Sequence, residues 1–214
     1  MSIQPVYFEG NLGRQDREKL IFVEGTDDAY FIDAILEDLG ANPDEVGVVI
    51  VGGIPRFGSS ISIYSKSSAF RKARGVAVLR DADNDPGTAV KELEDAFQKS
   101  FKVKVDHGKL VTSKNVVYGI FVLPSAAEQG DLERMCLDTV AGTHLHKIAE
   151  NYINLAKEAG PLSQVHKRTA QVFLAAVPDE LCRGAGMGFR RGYFDLSHDS
   201  LEPLKGFLKD FISA

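Results

Sequence analysis

The sequence predicts an α/β fold: a mainly parallel β-sheet flanked by helices, with a helical extension at the C-terminal end. Three observations predict it. Short apolar runs at residues 20–23, 46–51, 76–79 and 116–123 lack polar alternation, as strands buried on both faces do. Stretches with helical periodicity separate these runs. From residue 131 onward the pattern is helical alone.

The elements follow in order. Residues 1–19 are polar, mixed in charge and weakly periodic, and read as an N-terminal arm. The strand at 20–23 leads into a helix over 27–39, with Phe31, Ile32, Ile35, Leu36 and Leu39 on one face and Thr26 or Asp27 as its cap. Gly40 to Pro43 break the chain, and the strand at 46–51 closes on Gly52-Gly53. A serine-rich helix is predicted over 56–74. Gly75 opens the third strand, and after Pro86 a helix runs to about Phe101 on a stripe of Val90, Leu93, Phe97 and Phe101. Residues 101–105 and 109–112, on either side of Asp106-His107-Gly108, suggest a hairpin. Pro124 ends the strand at 116–123. Helices are predicted over 131–141, 144–158, 163–177 and 199–213. One stripe is Leu145, Ile148, Tyr152 and Leu155, another Leu201, Leu204, Leu208 and Phe211. The expected organisation is an arm (1–19), an α/β core (20–142) and a helical extension packed on it (143–214).

A net charge of -5 argues against a protein that coats nucleic acid by bulk charge, while leaving a local, metal-assisted grip open. Cys136 and Cys182 form neither a CxxC pair nor a zinc spacing, so both are read as reduced and buried in a cytoplasmic protein. The start of the chain has no signal-peptide pattern. The longest apolar run, residues 116–123, is too short to span a bilayer, so no membrane partner is expected.

The chemistry concentrates where strands end. Glu24 follows the first strand, and Asp81 and Asp83 follow the third. In an open parallel sheet those exits face one crevice. Carboxylates converging there repel unless a cation joins them, and an oxygen-only donor set suits Mg²⁺ or Mn²⁺. Asp131 and Glu133, after the strand at 116–123, are candidates for further ligands and for a second ion. Asp27 and Asp28 read as helix-start residues, which complement the helix dipole.

Other residues keep two readings. Lys66, Arg71, Lys72 and Arg74 either contact phosphates beside the crevice or form a solvated helix face. Arg183, Arg190 and Arg191 flank a glycine-rich run that reads as a phosphate-contact loop or as a structural turn. Lys167 is either a surface lysine or a cation for the charge that develops on a reacting phosphate. His144 and His146 point to different faces of a helix, and no serine lies in a nucleophile elbow.

Glu24-Gly25 after the first strand, Gly52-Gly53 after the second and Asp81-Ala82-Asp83 after the third resemble the Toprim domain, which topoisomerases, bacterial primases, recombination proteins and overcoming-lysogenization-defect (OLD) nucleases share. Residues 22–31 (FVEGTDDAYF), 121–124 (FVLP) and 130–133 (GDLE) are similar to the OLD group. With Lys167-Arg168-Thr169-Ala170 and Phe173-Leu174-Ala175 they resemble a stand-alone prokaryotic Toprim family of unknown function related to those nucleases. The resemblance covers most of residues 20–212. It implies that Glu24 is a general acid/base or metal ligand, that Asp81 and Asp83 bind Mg²⁺, and that Glu133 and Asp131 complete a nuclease-type site. Arg80 departs from the pattern, since an apolar residue usually precedes the first aspartate. The guanidinium either pairs with a site carboxylate or points away. The expected function is Mg²⁺- or Mn²⁺-dependent cleavage of phosphodiester bonds, in DNA rather than RNA. A role in defence or repair beside a separate ATPase partner is implied. The alternative is a non-catalytic Toprim module that binds a nucleotide, nucleic acid or a protein.

Overall fold

A computed structural model of the chain describes residues 6–7, 17–177 and 181–214. Most of the expected arm, 1–19, therefore lies outside the described residues. The others build one sheet of six strands: β1 (Val6–Tyr7), β2 (Lys19–Val23), β3 (Val46–Ile50), β4 (Gly75–Asp81), β5 (Leu110–Ser113) and β6 (Val116–Leu123), in the spatial order β1-β3-β2-β4-β6-β5. Every neighbouring pair is parallel except β5–β6. Helices α1 (Thr26–Asp38), α2 (Phe57–Ser65) and α3 (Pro86–Phe101) lie between the strands. Then follow α4 (Leu132–Asp138), α5 (His144–Glu158), α6 (Val165–Ala175), α7 (Ala185–Arg190) and α8 (Glu202–Ser213).

The apolar runs lack alternation because both faces of the sheet are covered. Ile21, Val23, Ala77, Leu79, Phe121 and Leu123 join a core with α1 and the C-terminal helices. Their strand neighbours Leu20, Phe22, Val76, Val78, Ile120 and Val122 join a second core with α2 and α3. Asp81 continues the series 77, 79, 81 and so belongs to the α1 side, whereas Arg80 belongs to the α3 side. On that side Arg80 Nη1 sits 2.6 Å from Glu92 Oε2 of α3. The guanidinium thus pairs directly with Glu92 and, among the described residues, with no site carboxylate, yet its charge still reaches Glu24 and Asp83 and acts to lower the pKa of both. On the α1 side α8 lies flat on the sheet. A Cβ at Gly119 would come within 2.7 Å of the Phe207 ring, so glycine is what the close approach requires. The stripe Leu201, Leu204, Leu208 and Phe211 is fully buried there, and Lys19 Nζ donates to the Ile212 carbonyl at 2.7 Å.

Several local expectations are corrected. The cap of α1 is Gly25, whose N–H is held by the Asp28 carboxylate, and not Thr26 or Asp27. The single helix over 56–74 is α2 with a short 3₁₀ turn on either side, Ile54–Arg56 and Ala69–Lys72, as its serines and lack of caps allow. Residues 101–105 do not pair with 109–112. Instead β5 pairs with β6 through a two-residue turn, Ser113 opposite Val116, with Lys114 at φ 50° and Asn115 at φ 63°. Two left-handed residues give a turn that matches the strand twist. Glycine suits the second of those positions best. Asn115→Gly is therefore expected to raise stability by about 0.5–1 kcal/mol, read as a higher urea midpoint with an unchanged m value. Last, the stripe on α5 is not its packed face: His146, Ala149 and Ile153 are buried, while Ile148, Tyr152 and Leu155 face solvent.

Candidate metal centre

The parallel register brings the C-terminal ends of β2, β4 and β6 to one edge, and a hollow of about 420 Å³ opens there. Glu24 enters it from the end of β2. Asp27 and Asp28 enter from the first turn of α1, Asp81 from the last residue of β4 and Asp83 from the loop beyond. Asp131 and Glu133 come from the start of α4, and Lys167 from α6. Glu24, Asp81, Asp83, Asp131, Glu133 and Lys167, predicted from widely separated stretches, thus line one cavity.

Local structure fixes each side chain. The Asp83 and Gly130 backbones exchange hydrogen bonds of 2.8 and 2.9 Å, which ties the β4 exit to the approach to α4. Asp83 adopts φ 51°, a left-handed conformation that aspartate tolerates better than most residues. Asp131 caps α4, its Oδ1 accepting from Arg134 N at 2.9 Å, and the same oxygen lies 3.3 Å from His166 Nδ1. Glu133 is nearly buried, with its Oε1 3.9 Å from Lys167 Nζ. At the floor, Asp81 Oδ1 is buried with no hydrogen-bond partner.

The electrostatics record the crowding. Burial, followed by the charges of Asp28, Asp131, Glu133 and Glu24, pushes the Asp81 carboxyl well above its ordinary range. Burial, with Glu24 and Glu133 nearby, takes Asp28 to about 7. Burial and Asp83 raise Glu24, with Arg80 and Lys167 opposing. Burial and Asp131 raise Glu133. Among the described residues, seven carboxylates line the hollow against Lys167 as its one lining cation. Metal-free, such a cluster relieves itself by taking up protons.

Folding therefore binds protons between the ordinary carboxylate pKa and about 7. Where the folded state holds more protons than the unfolded one, stability falls as pH rises. In EDTA the protein is expected to be less stable at pH 8 than at pH 5.5, by on the order of 2–4 kcal/mol. Mg²⁺ should restore stability at pH 8 and add little at pH 5.5. Urea midpoints at both pH values check this, and a higher midpoint at pH 8 in EDTA contradicts it.

The donor set fits a hard divalent cation: carboxylate oxygens predominate, with Thr26 and Gln164 beside them, and one carboxylate oxygen is buried without a partner. Among the described residues, however, no three Asp, Glu, His or Cys side chains already stand in a ligand arrangement. The oxygens surround the hollow without converging on a single point.

Reading the sequence missed two of these residues as site-lining groups. Asp28 caps α1 and also faces the hollow. Asp27 lies against the backbone N–H groups of Ala185, Gly186 and Met187 at the start of α7. A Cβ on Gly186 would run into the Asp27 carbonyl, so the glycines there serve close packing of α7 on α1. The available signal was redundancy, since a helix start needs one capping acid and this one has two. The predicted nucleic-acid contacts do not form one set: Arg183 directly precedes the start of α7 that meets Asp27, while Arg71 and Lys72 lie elsewhere. Arg71 and Lys72 sit before β4, at the opposite edge of the sheet, which corrects their placement beside the crevice. The loop of Arg183, Arg190 and Arg191 is mostly the helix α7. Arg183 and Arg191 are exposed, whereas Arg190 is paired with the fully buried Asp33 of α1 and lies over the Tyr30 ring.

Comparison with known proteins supplies context. A family model described as "Protein of unknown function (DUF3226)" matches residues 18–213. No curated protein matches the sequence. Among solved structures, the C-terminal region of the Burkholderia pseudomallei OLD protein matches with 17% identity and a TM-score of 0.52, over 92% of this chain and 98% of that one. The C-terminal region of the Xanthomonas campestris pv. campestris OLD protein matches with 15% identity and a TM-score of 0.47, over 92% and 94%. The first of these shows the fold. Among the described residues no helix is long and apolar enough to cross a membrane.

Proposed function

This chain belongs to the DUF3226 family, and from that premise and the acidic crevice we propose that it is a Toprim protein related to the OLD nucleases, cleaving phosphodiester bonds with Mg²⁺ or Mn²⁺. One observation carries the reading: among the described residues, seven carboxylates and a single lysine line the hollow at the C-terminal strand edge, with a buried Asp81 oxygen left unpartnered. Left to itself such a hollow repels a phosphodiester, so its chemistry makes sense with a cation.

Glu24, Asp81 and Asp83 would hold the ion, with Asp131 and Glu133 alongside. When bound, the ion supplies positive charge to a phosphate oxygen and lowers the pKa of water. The chain's own groups do the rest. Glu24, whose carboxyl is raised by burial and by Asp83, is placed to take and return a proton where it does not itself hold the ion. Lys167, half-exposed and 3.9 Å from Glu133, can place its ammonium against charge developing on the phosphate. Asp131 and Glu133 ride on the first turn of α4, which fixes them relative to the Asp83 loop. DNA is the substrate we favour, and an ATPase partner would supply any ATP-dependent control.

The test is nicking of supercoiled DNA with Mg²⁺ or Mn²⁺, by the native chain and by Glu24→Gln. Native activity that falls about 100-fold or more in the variant supports the reading. Activity that survives Glu24→Gln removes it. A second reading is a non-catalytic module that binds nucleotide, nucleic acid or protein. Metal binding without cleavage of DNA or RNA would select it.

A further inference from the structure

Helix α5 carries three of the most exposed large apolar side chains among the described residues: Ile148 at 48%, Tyr152 at 60% and Leu155 at 56%. With Leu145, half-buried where this line meets the core, they form one line along the helix beside the face of buried His146, Ala149 and Ile153. Their spacings are three, four and three residues, the alternation that keeps a seam facing a second helix. A line of this length on an outer helix marks an interaction surface rather than scattered exposure.

We propose that α5 pairs with α5 of a second copy of this chain, antiparallel and about a two-fold axis. Three features point to that occupant. The three-four-three spacing reads the same in both directions, so reversing the helix sets Leu145 against Leu155 and Ile148 against Tyr152, and all four residues find a partner in one register. The same register brings the exposed His144 near Glu158 of the second copy and Asn151 near its own counterpart, so no like charges meet beside the seam. Antiparallel helices also place each positive helix end beside a negative one.

The seam is short. Its apolar side chains cover on the order of 300 Å² per copy, against about 800 Å² per partner in a standard interface, so the dimer should be weak, with a Kd of the order of micromolar or above. α5 packs on α6, the helix that bears Lys167, so pairing would brace one wall of the acidic hollow from behind.

Two measurements test the proposal in EDTA, without reference to metal or cleavage. Sedimentation equilibrium from about 1 to 200 µM should show mass rising toward two chains. Tyr152→Glu and Leu155→Arg, both at exposed positions, should weaken association about tenfold or more with unchanged circular dichroism. Ile63→Glu, an exposed apolar site elsewhere, should not. Both native cysteines are buried, so an introduced thiol reports geometry. Asn151→Cys should form a disulfide-linked dimer on mild oxidation, whereas Lys157→Cys, off the seam, should not. A chain that stays monomeric at 200 µM overturns the proposal. So does association indifferent to the seam variants, or Lys157→Cys cross-linking as readily as Asn151→Cys.

Discussion

Asp81→Asn is expected to make the metal-free protein more stable while abolishing its response to divalent cations. The carboxylate is held at the floor of the hollow among Asp28, Asp131, Glu133 and Glu24, with an oxygen that has no hydrogen-bond partner. Neutralising it relieves burial of charge and like-charge repulsion together. At pH 8 in EDTA the gain should be on the order of 1–2 kcal/mol in a urea titration. The stabilisation that Mg²⁺ gives the native chain should vanish, and metal-dependent cleavage should fall by about 100-fold or more. Opposite signs for stability and function are what a site kept for chemistry produces. If Asp81 were only structural, its replacement would lower stability and leave the cation response intact.

Arg190→Met is expected to cost about 3–5 kcal/mol. Asp33 is fully buried in α1, and the guanidinium of Arg190, from the short helix α7, is its ionic partner. Taking the pair out of water is costly, and removing Arg190 withdraws a direct ionic partner from a buried carboxylate. The stem of Arg190 also covers the Tyr30 ring, which the methionine preserves in part. The double variant Asp33→Asn, Arg190→Met should recover much of the loss, because no uncompensated charge remains. Urea midpoints of the two single variants and the double close the cycle. A loss below about 1 kcal/mol in Arg190→Met would show that the pair contributes little. The result also bears on the glycine-rich run before it. That run serves to dock α7 on α1, and its arginine is used inside the protein.

Much of this architecture was legible in residues near one another in sequence. Four unalternating apolar runs gave the strands because burial on both faces leaves no polar row. Strand-exit acids gave the crevice because parallel register brings those ends to one edge. What failed depended on partners far along the chain. The α5 stripe had the periodicity of a packed face, but α6 lies on the side marked by His146, Ala149 and Ile153. The role of Asp27 depends on α7, well over a hundred residues away, whose amides meet it. Arg71 and Lys72 lie before β4 and Asp81 at its end, so seven strand residues, about 23 Å, separate them from the hollow. The supposed hairpin over 101–112 failed because Lys114-Asn115, without glycine, forms the real turn.

The central claim, that the hollow at the C-terminal strand edge is a divalent-cation site, is tested most directly by titrating the protein with Mn²⁺ at pH 8 and reading free Mn²⁺ by electron paramagnetic resonance. The account predicts saturable loss of the free-ion signal by the native chain, competition by Mg²⁺, and loss of that binding in Asp81→Asn. Unchanged Mn²⁺ binding by Asp81→Asn, or none by the native chain, would contradict it.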